Sequence, residues 1–192
     1  MVKINKIYPK KYFYYRFFNS LFTGLSIGSI FTIYAPLKPS IYSVGGVLLA
    51  VGMLIVAKFY EKLMNLRIFF FVSLFVEIVI LAVVIYFLFF PYGYSTALFV
   101  YSGYQLTFVF GSYLVRTETL FLRKKKILSL LDMFKQGGYL TGLVLSFVFY
   151  RALENIFGIA TNQEKVYYLH FLLVGVEAVI IFSLLRSFKI RF

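Results

Sequence analysis

Two carboxylates stand inside long apolar stretches of this chain, where an ionisable side chain is costly to place. Glu77 and Glu177 are these two residues. Ionisable groups at membrane depth are often parts of proton relays, so proton coupling through either of them is our hypothesis. The alternative for each is a hydrogen bond to a neighbouring helix or a bound partner. Asp132 is a third proton-coupling candidate, although an interfacial ion pair with Lys135, three residues later, is the plainer interpretation.

A second group of polar side chains is largely neutral and is predicted to line a substrate pathway. Its members are Asn19, Thr23, Ser26, Tyr101, Gln105 and Arg116. The first three are spaced by four and three residues, which places them on one helical face. The last three are compatible with one face of a later helix. Close packing between helices is the alternative for the small residues, and snorkelling to the interface is the alternative for Arg116. Such a pathway favours a polar neutral or amphipathic solute.

Other chemistry finds little support in the sequence. Cysteine is absent and His170 is the only histidine, so we predict no metal site and no cofactor. No intramembrane serine–histidine pair accompanies the carboxylates, so we do not expect an enzyme. Tyrosines near the ends of the apolar stretches, among them Tyr12 and Tyr15, are predicted to form an aromatic belt at the membrane surface.

The elements that carry these residues are long and apolar. The chain has 192 residues, of which 61% are hydrophobic. Each membrane span needs roughly 20 mostly apolar residues, so six spans use up the chain. We predict an all-α integral membrane protein with spans at about 17–36, 41–60, 68–90, 95–115, 127–150 and 167–185. A basic arm, 1–16, precedes this bundle, 17–187, and a short tail, 188–192, follows it.

The positive charges indicate the orientation of the bundle. The formal net charge is +13, and lysine and arginine are concentrated in alternate connections. This distribution follows the positive-inside rule with both termini in the cytoplasm, and we expect the bacterial cytoplasmic membrane. The charges are therefore assigned to topology and to anionic lipid headgroups, not to nucleic acid.

The connection between the second and third spans resembles the loop signature of the major facilitator superfamily of secondary transporters. Glu61 stands at the acidic position of that signature, Lys62 at the basic position, and Arg67 near its trailing basic cluster. Ala57 and Met64 replace its two glycines. In the family, the acidic position meets a helix of the opposite bundle and acts as a conformational latch, so these residues are the latch candidates.

The fifth span is similar to the glycine-rich fifth helix of the same transporters, with Gly138 and Gly142 predicted to pack closely against another helix, within one chain or between two. The resemblance covers one of the family's two six-helix bundles, and it implies a 3+3 repeat. It also implies that a parallel homodimer would supply twelve helices for alternating access. The alternatives are a non-transporting subunit or scaffold of a larger membrane complex, or one half of a heterodimeric transporter.

Overall fold

A computed structural model describes residues 3–191 of the chain. Its elements, in order, are β1 (Lys3–Ile7), α1 (Pro9–Tyr34), α2 (Pro39–Lys58), α3 (Tyr60–Leu63), α4 (Leu66–Phe89), α5 (Tyr94–Val109), α6 (Gly111–Phe121), α7 (Lys125–Asn155), α8 (Asn162–Ser187) and β2 (Phe188–Arg191). The described chain is therefore almost wholly α-helical.

Local sequence signals start several of these helices. Pro9 and Pro39 stand in the first turns of α1 and α2, where a missing backbone N–H is tolerated. Asn65 caps α4 by accepting a hydrogen bond from the backbone N–H of Ile68 at 2.9 Å. Thr161 caps α8 in the same way through the N–H of Glu164 at 3.3 Å.

Five helical segments of the described chain are long and apolar enough to cross a membrane. They are Pro9–Tyr34, Pro39–Lys58, Leu66–Phe89, Tyr94–Phe121 and Asn162–Ser187, so α5 and α6 together count as one segment. The fifth predicted span, 127–150, falls within α7, which has 31 residues but is less apolar and is not among these segments. Its N-terminal half holds the polar residues Asp132, Lys135 and Gln136. The structure thus gives an all-α chain with five candidate spans.

The two ends of the chain differ from the predicted arm and tail. Residues 9–16 form the first turns of α1, because Tyr12 and Tyr15 on that segment are buried against the other helices. Strands β1 and β2 pair antiparallel, with Lys3 opposite Arg191 and Ile7 opposite Phe188. Both ends of the described chain therefore lie at the same end of the bundle. Residues 1, 2 and 192 are not among the described residues.

Helix α1 is at the centre of the bundle. It packs along α7 and α8 and also touches α5, while α4 packs on α8 and α5. The α1–α7 contact is close because it is lined by glycines: a Cβ at Gly138 would overlap the carbonyl oxygen of Phe17, and one at Gly142 would overlap that of Leu21. The glycine face thus packs against α1 within the chain.

Helix α2 is the least buried of the candidate spans. It packs mainly on α5, and only 6% of its apolar window is buried. Val47, Leu48 and Leu54 are between 63% and 70% exposed. This flank of the bundle is therefore open to lipid or to another protein chain.

Candidate functional site

A cavity of about 350 Å³ lies among α1, α4, the α5–α6 segment and α8. Its polar lining consists of Tyr15, Arg16, Asn19, Thr23, Ser26, Glu77, Tyr104, Thr107 and Glu177. The remaining lining is apolar and aromatic, with Phe22 and Phe108 among its members. Both carboxylates singled out in the sequence therefore face one cavity.

Glu77 is held by two hydrogen-bond donors from α1. The side chain is 2% exposed. The Tyr15 hydroxyl donates to its Oε1 at 2.5 Å, and Asn19 Nδ2 donates to its two oxygens at 3.1 and 3.4 Å. Donors directed at both oxygens suit an ionised carboxylate.

Glu177 lies beside Glu77 but has a different environment. It is fully buried, and among the described residues no fixed hydrogen-bond donor reaches its carboxyl oxygens; the group within hydrogen-bonding reach is the carboxyl group of Glu77, which pairs with Glu177 only when one of the two is protonated. An unpaired carboxylate removed from water is penalised by several kcal/mol. Glu177 is therefore suited to the neutral form, or to an ionised form with a cation beside it.

A third buried carboxylate links α1, α6 and α7 below the cavity, towards the ends of the chain. Glu118 is 3% exposed and accepts a hydrogen bond from the Tyr12 hydroxyl at 2.8 Å. Lys135 Nζ lies 2.5 Å from its Oε2, and Arg16 Nε lies 2.8 Å from its Oε1. The Arg16 contact is an ion pair, since the direction of its N–H is not that of a hydrogen bond. Arg16 also donates to Asn19 at 3.5 Å, which connects this cluster to the cavity.

Sequence reasoning missed Glu118 and Arg16 as members of the site. The predicted fourth span ends at 115 and the first begins at 17, so both residues fall outside the predicted spans. The structure continues α6 to Phe121 and begins α1 at Pro9, which brings both side chains into the bundle. The aromatic-belt prediction is also wrong for Tyr12 and Tyr15, whose hydroxyls bind buried carboxylates.

The predicted pathway residues divide into two sets. Asn19, Thr23 and Ser26 line the cavity, whereas the three candidates of the later helix are absent from its lining. Tyr101 packs against Tyr34 and Tyr42 at the other end of the bundle. The other two are Gln105, which is half-buried with an unpartnered Oε1, and Arg116, which is exposed.

The remaining candidates lie away from the cavity. Asp132 is 72% exposed and 3.9 Å from Lys135, whose closer partner is Glu118. The latch residues Glu61, Lys62 and Arg67 are exposed on and after α3.

The surroundings of His170 do not favour a metal site. His170 Nδ1 lies 2.7 Å from the Val166 carbonyl oxygen, and its ring packs on Phe87 with centroids 4.0 Å apart. Among the described residues, no group of three potential metal ligands lies together.

One sequence signal does identify the two central carboxylates as a pair. The letters VEIVI occupy 76–80 and the letters VEAVI occupy 176–180, so Glu77 and Glu177 occur in the same short pattern. The two segments lie on α4 and α8, which pack against each other. The repeated pattern thus brings two carboxyl groups to one point of the bundle.

The mouth of the cavity opens on the side of the bundle. Thr23 and Ile27 on α1, with Phe108 and Val115 on the α5–α6 segment, line the cavity and are exposed. All four lie within apolar segments that are long enough to span, away from the ends. The opening therefore faces whatever lies beside the bundle at membrane depth.

Comparisons of the chain with protein-family models, with curated proteins and with solved structures found no match.

Proposed function

We propose that this chain is a half-size secondary transporter of the major facilitator type and that two copies in the same orientation form the working unit. The observation that carries the proposal is the polar cavity with a sideways mouth. Three carboxylates and an arginine in or beside a cavity open to hydrocarbon would be poorly solvated. A second copy across the mouth would enclose the cavity, and alternating access would open it to each side in turn.

A pair of six-helix bundles requires that each chain crosses the membrane six times, and two features favour six crossings over five. The pairing of β1 with β2 holds both ends of the described chain at one end of the bundle, and a chain with its ends on one side crosses an even number of times. Helix α7 supplies the sixth crossing, because its 31 residues are about 46 Å long at 1.5 Å per residue and it runs along the central α1. The basic connections assign this end to the cytoplasm.

The contacts between crossings support a 3+3 repeat. Counting α5–α6 as one, the crossings are α1, α2, α4, α5–α6, α7 and α8. Such a repeat makes the first crossing equivalent to the fourth, the second to the fifth and the third to the sixth. The contact equivalent to α1–α7 is then α2–α5, and the contact equivalent to α1–α8 is α4–α5. The α4–α8 contact is its own equivalent. All of these contacts are present.

The repeat also explains the position of the two acidic residues. Glu77 and Glu177 lie on the third and sixth crossings, which such a repeat relates to each other. Their shared position beside Asn19 and Tyr15 supports a role in proton coupling. A change of their protonation would alter the charge of the cavity that the solute must enter.

The exposed α2 flank is equally compatible with a second candidate, in which the chain is one half of a heterodimeric transporter or a non-transporting subunit of a larger complex. That flank offers a long apolar surface to a different protein as readily as to another copy.

Counting copies in a bilayer tests the proposal. The protein is inserted into lipid nanodiscs and the protein mass per disc is measured by native mass spectrometry. Two chains of 22.4 kDa per disc are expected. One chain per disc at every protein-to-lipid ratio would contradict the homodimer, and a second polypeptide retained from the native membrane would favour the heteromeric candidate.

A further inference from the structure

The buried charges in and below the cavity do not balance. The fixed cations are Arg16 and Lys135, and the carboxylates are Glu77, Glu118 and Glu177. Two positive groups face three acidic ones, so the network is neutral only when one further positive charge is present. Asp132 is left out of this balance because it is exposed to solvent.

The surplus charge belongs to Glu177. Glu118 has both cations beside it, and Glu77 has its two donors, whereas Glu177 has no fixed donor and only the carboxyl group of Glu77 within hydrogen-bonding reach. The titratable groups that face it across the cavity are Glu77 from α4, Tyr15 and Arg16 from α1, and Tyr104 from α5. Helix α7 and β2 also contact α8 but contribute no side chain to the cavity lining.

The cavity around Glu177 suits an organic cation better than a bare metal ion. A metal ion needs several oxygen ligands at once, whereas the only buried side-chain oxygens without a fixed donor among the described residues of the lining are the two of Glu177. The volume of about 350 Å³ is that of a small-molecule site. Aromatic rings line it, namely Phe22, Tyr104 and Phe108, and such rings attract ammonium groups through their faces.

We propose that the cavity binds one monovalent organic cation with an apolar body, and that the cation displaces one proton from the carboxyl group of Glu177. In this step the O–H bond of Glu177 breaks, the proton leaves to water, and the carboxylate pairs with the ammonium group. The charge of the network stays the same before and after. This inference rests on the proposed function only in naming its solute, since binding does not require transport.

Calorimetry with benzyltrimethylammonium tests the exchange, because this quaternary cation has no proton of its own to lose. The protein is titrated in a non-ionic detergent, in two buffers of different ionisation enthalpy and over a series of pH values. We expect release of about one proton per bound cation, and an affinity that rises by about tenfold per pH unit while Glu177 is protonated in the free protein. Raising the pH favours binding because it removes the competing proton.

Variants and an uncharged isostere test whether the two cavity carboxyl groups are responsible. Glu177→Gln and Glu77→Gln each remove one acidic group, so the network is neutral without a further cation. Both variants are expected to lose proton release and at least tenfold in affinity. Glu154→Gln, which removes an exposed carboxylate outside the cavity, should behave as the wild type. Neopentylbenzene has the same shape without the charge and should bind without proton release.

The outcomes separate this inference from the proposed function. Equal binding of the cation and its isostere, or proton release that persists in both variants, would overturn the inference, as would no binding at any pH. A dimer that releases no proton would overturn the inference alone. Cation binding with proton release by a protein that stays monomeric in nanodiscs would leave the inference standing and contradict the homodimer.

Discussion

Glu118 joins the buried charged side chains below the cavity. It lies between a tyrosine hydroxyl, an arginine and a lysine, each from a helix that must stay in place for the contact to exist. Three elements, α1, α6 and α7, are thus tied together by one carboxylate. A group with this many buried partners contributes by pairing charges that would otherwise be stranded away from water.

The variant Glu118→Gln is therefore expected to destabilise the protein strongly. The glutamine keeps the shape but leaves Arg16 and Lys135 without a counter-charge, and breaking a buried ion pair costs about 3–5 kcal/mol. Unfolding in detergent, followed by circular dichroism, measures the loss of free energy of unfolding.

The matched control is Asp132→Asn, which removes the other carboxylate near Lys135. That carboxylate is 72% exposed, so the change is expected to be within about 1 kcal/mol of the wild type. Equal effects of the two variants would show that burial of Glu118 does not stabilise the bundle.

At the residue scale, the sequence identified the groups that lie deep in apolar runs. Glu77, Glu177 and Asn19 stand out by residue type and position alone, and all three line the cavity. Glu118 and Arg16 could not be found in this way, because they lie near helix ends among other charges. Whether such a residue turns inward depends on where its helix begins or ends, and hydropathy does not fix that within one turn.

At the scale of elements, the contact of α1 with α7 decides the shape of the cavity. Backbone atoms of the two helices approach closely at Gly24, Gly138 and Gly142, which allows α1 to sit at the centre of the bundle. The sequence predicted close packing of the α7 glycines but could not say which helix they meet. Small residues favour close approach equally within a chain and between chains.

Two adjacent glycines of α7 allow a direct test of this packing. Gly138→Ala would place a methyl group against the Phe17 carbonyl oxygen and is expected to destabilise the protein by about 1–3 kcal/mol. Gly137→Ala meets open space and should be neutral or stabilising by about 0.5–1 kcal/mol, because alanine favours the helix. Thermal unfolding of both variants measures the difference; the same response in each would contradict the close α1–α7 contact.

The bounds of the elements also show where hydropathy suffices and where it does not. The third predicted span, 68–90, agrees closely with α4, Leu66–Phe89, which begins at a capping asparagine and contains few polar residues. The first, 17–36, missed the opening of α1, because Lys10 and Lys11 obscure a segment whose other face is buried. The break between α5 and α6 at Phe110 was also unforeseen, since no proline marks it.

At the scale of the whole molecule, the cavity is an incomplete enclosure. Its polar groups are deep, its mouth opens sideways, and its rim lies well within the spanning segments. A parallel pair related by a twofold axis would bring the same rim together from both chains, and rim positions close to the axis would face their own copies. This arrangement is the central claim of the proposed function.

Cysteine crosslinking in membranes tests that claim most directly, because the chain has no cysteine of its own. Ile27→Cys and Val115→Cys lie at the rim, and Val179→Cys is an exposed control on α8 that does not line the cavity. A lipid-soluble maleimide first shows that all three thiols react. A short crosslinker is then expected to join two chains through the rim cysteines and not through Val179→Cys. Crosslinking equally efficient at all three positions, or absent at the rim although its thiols react, would contradict a cavity closed by a second copy.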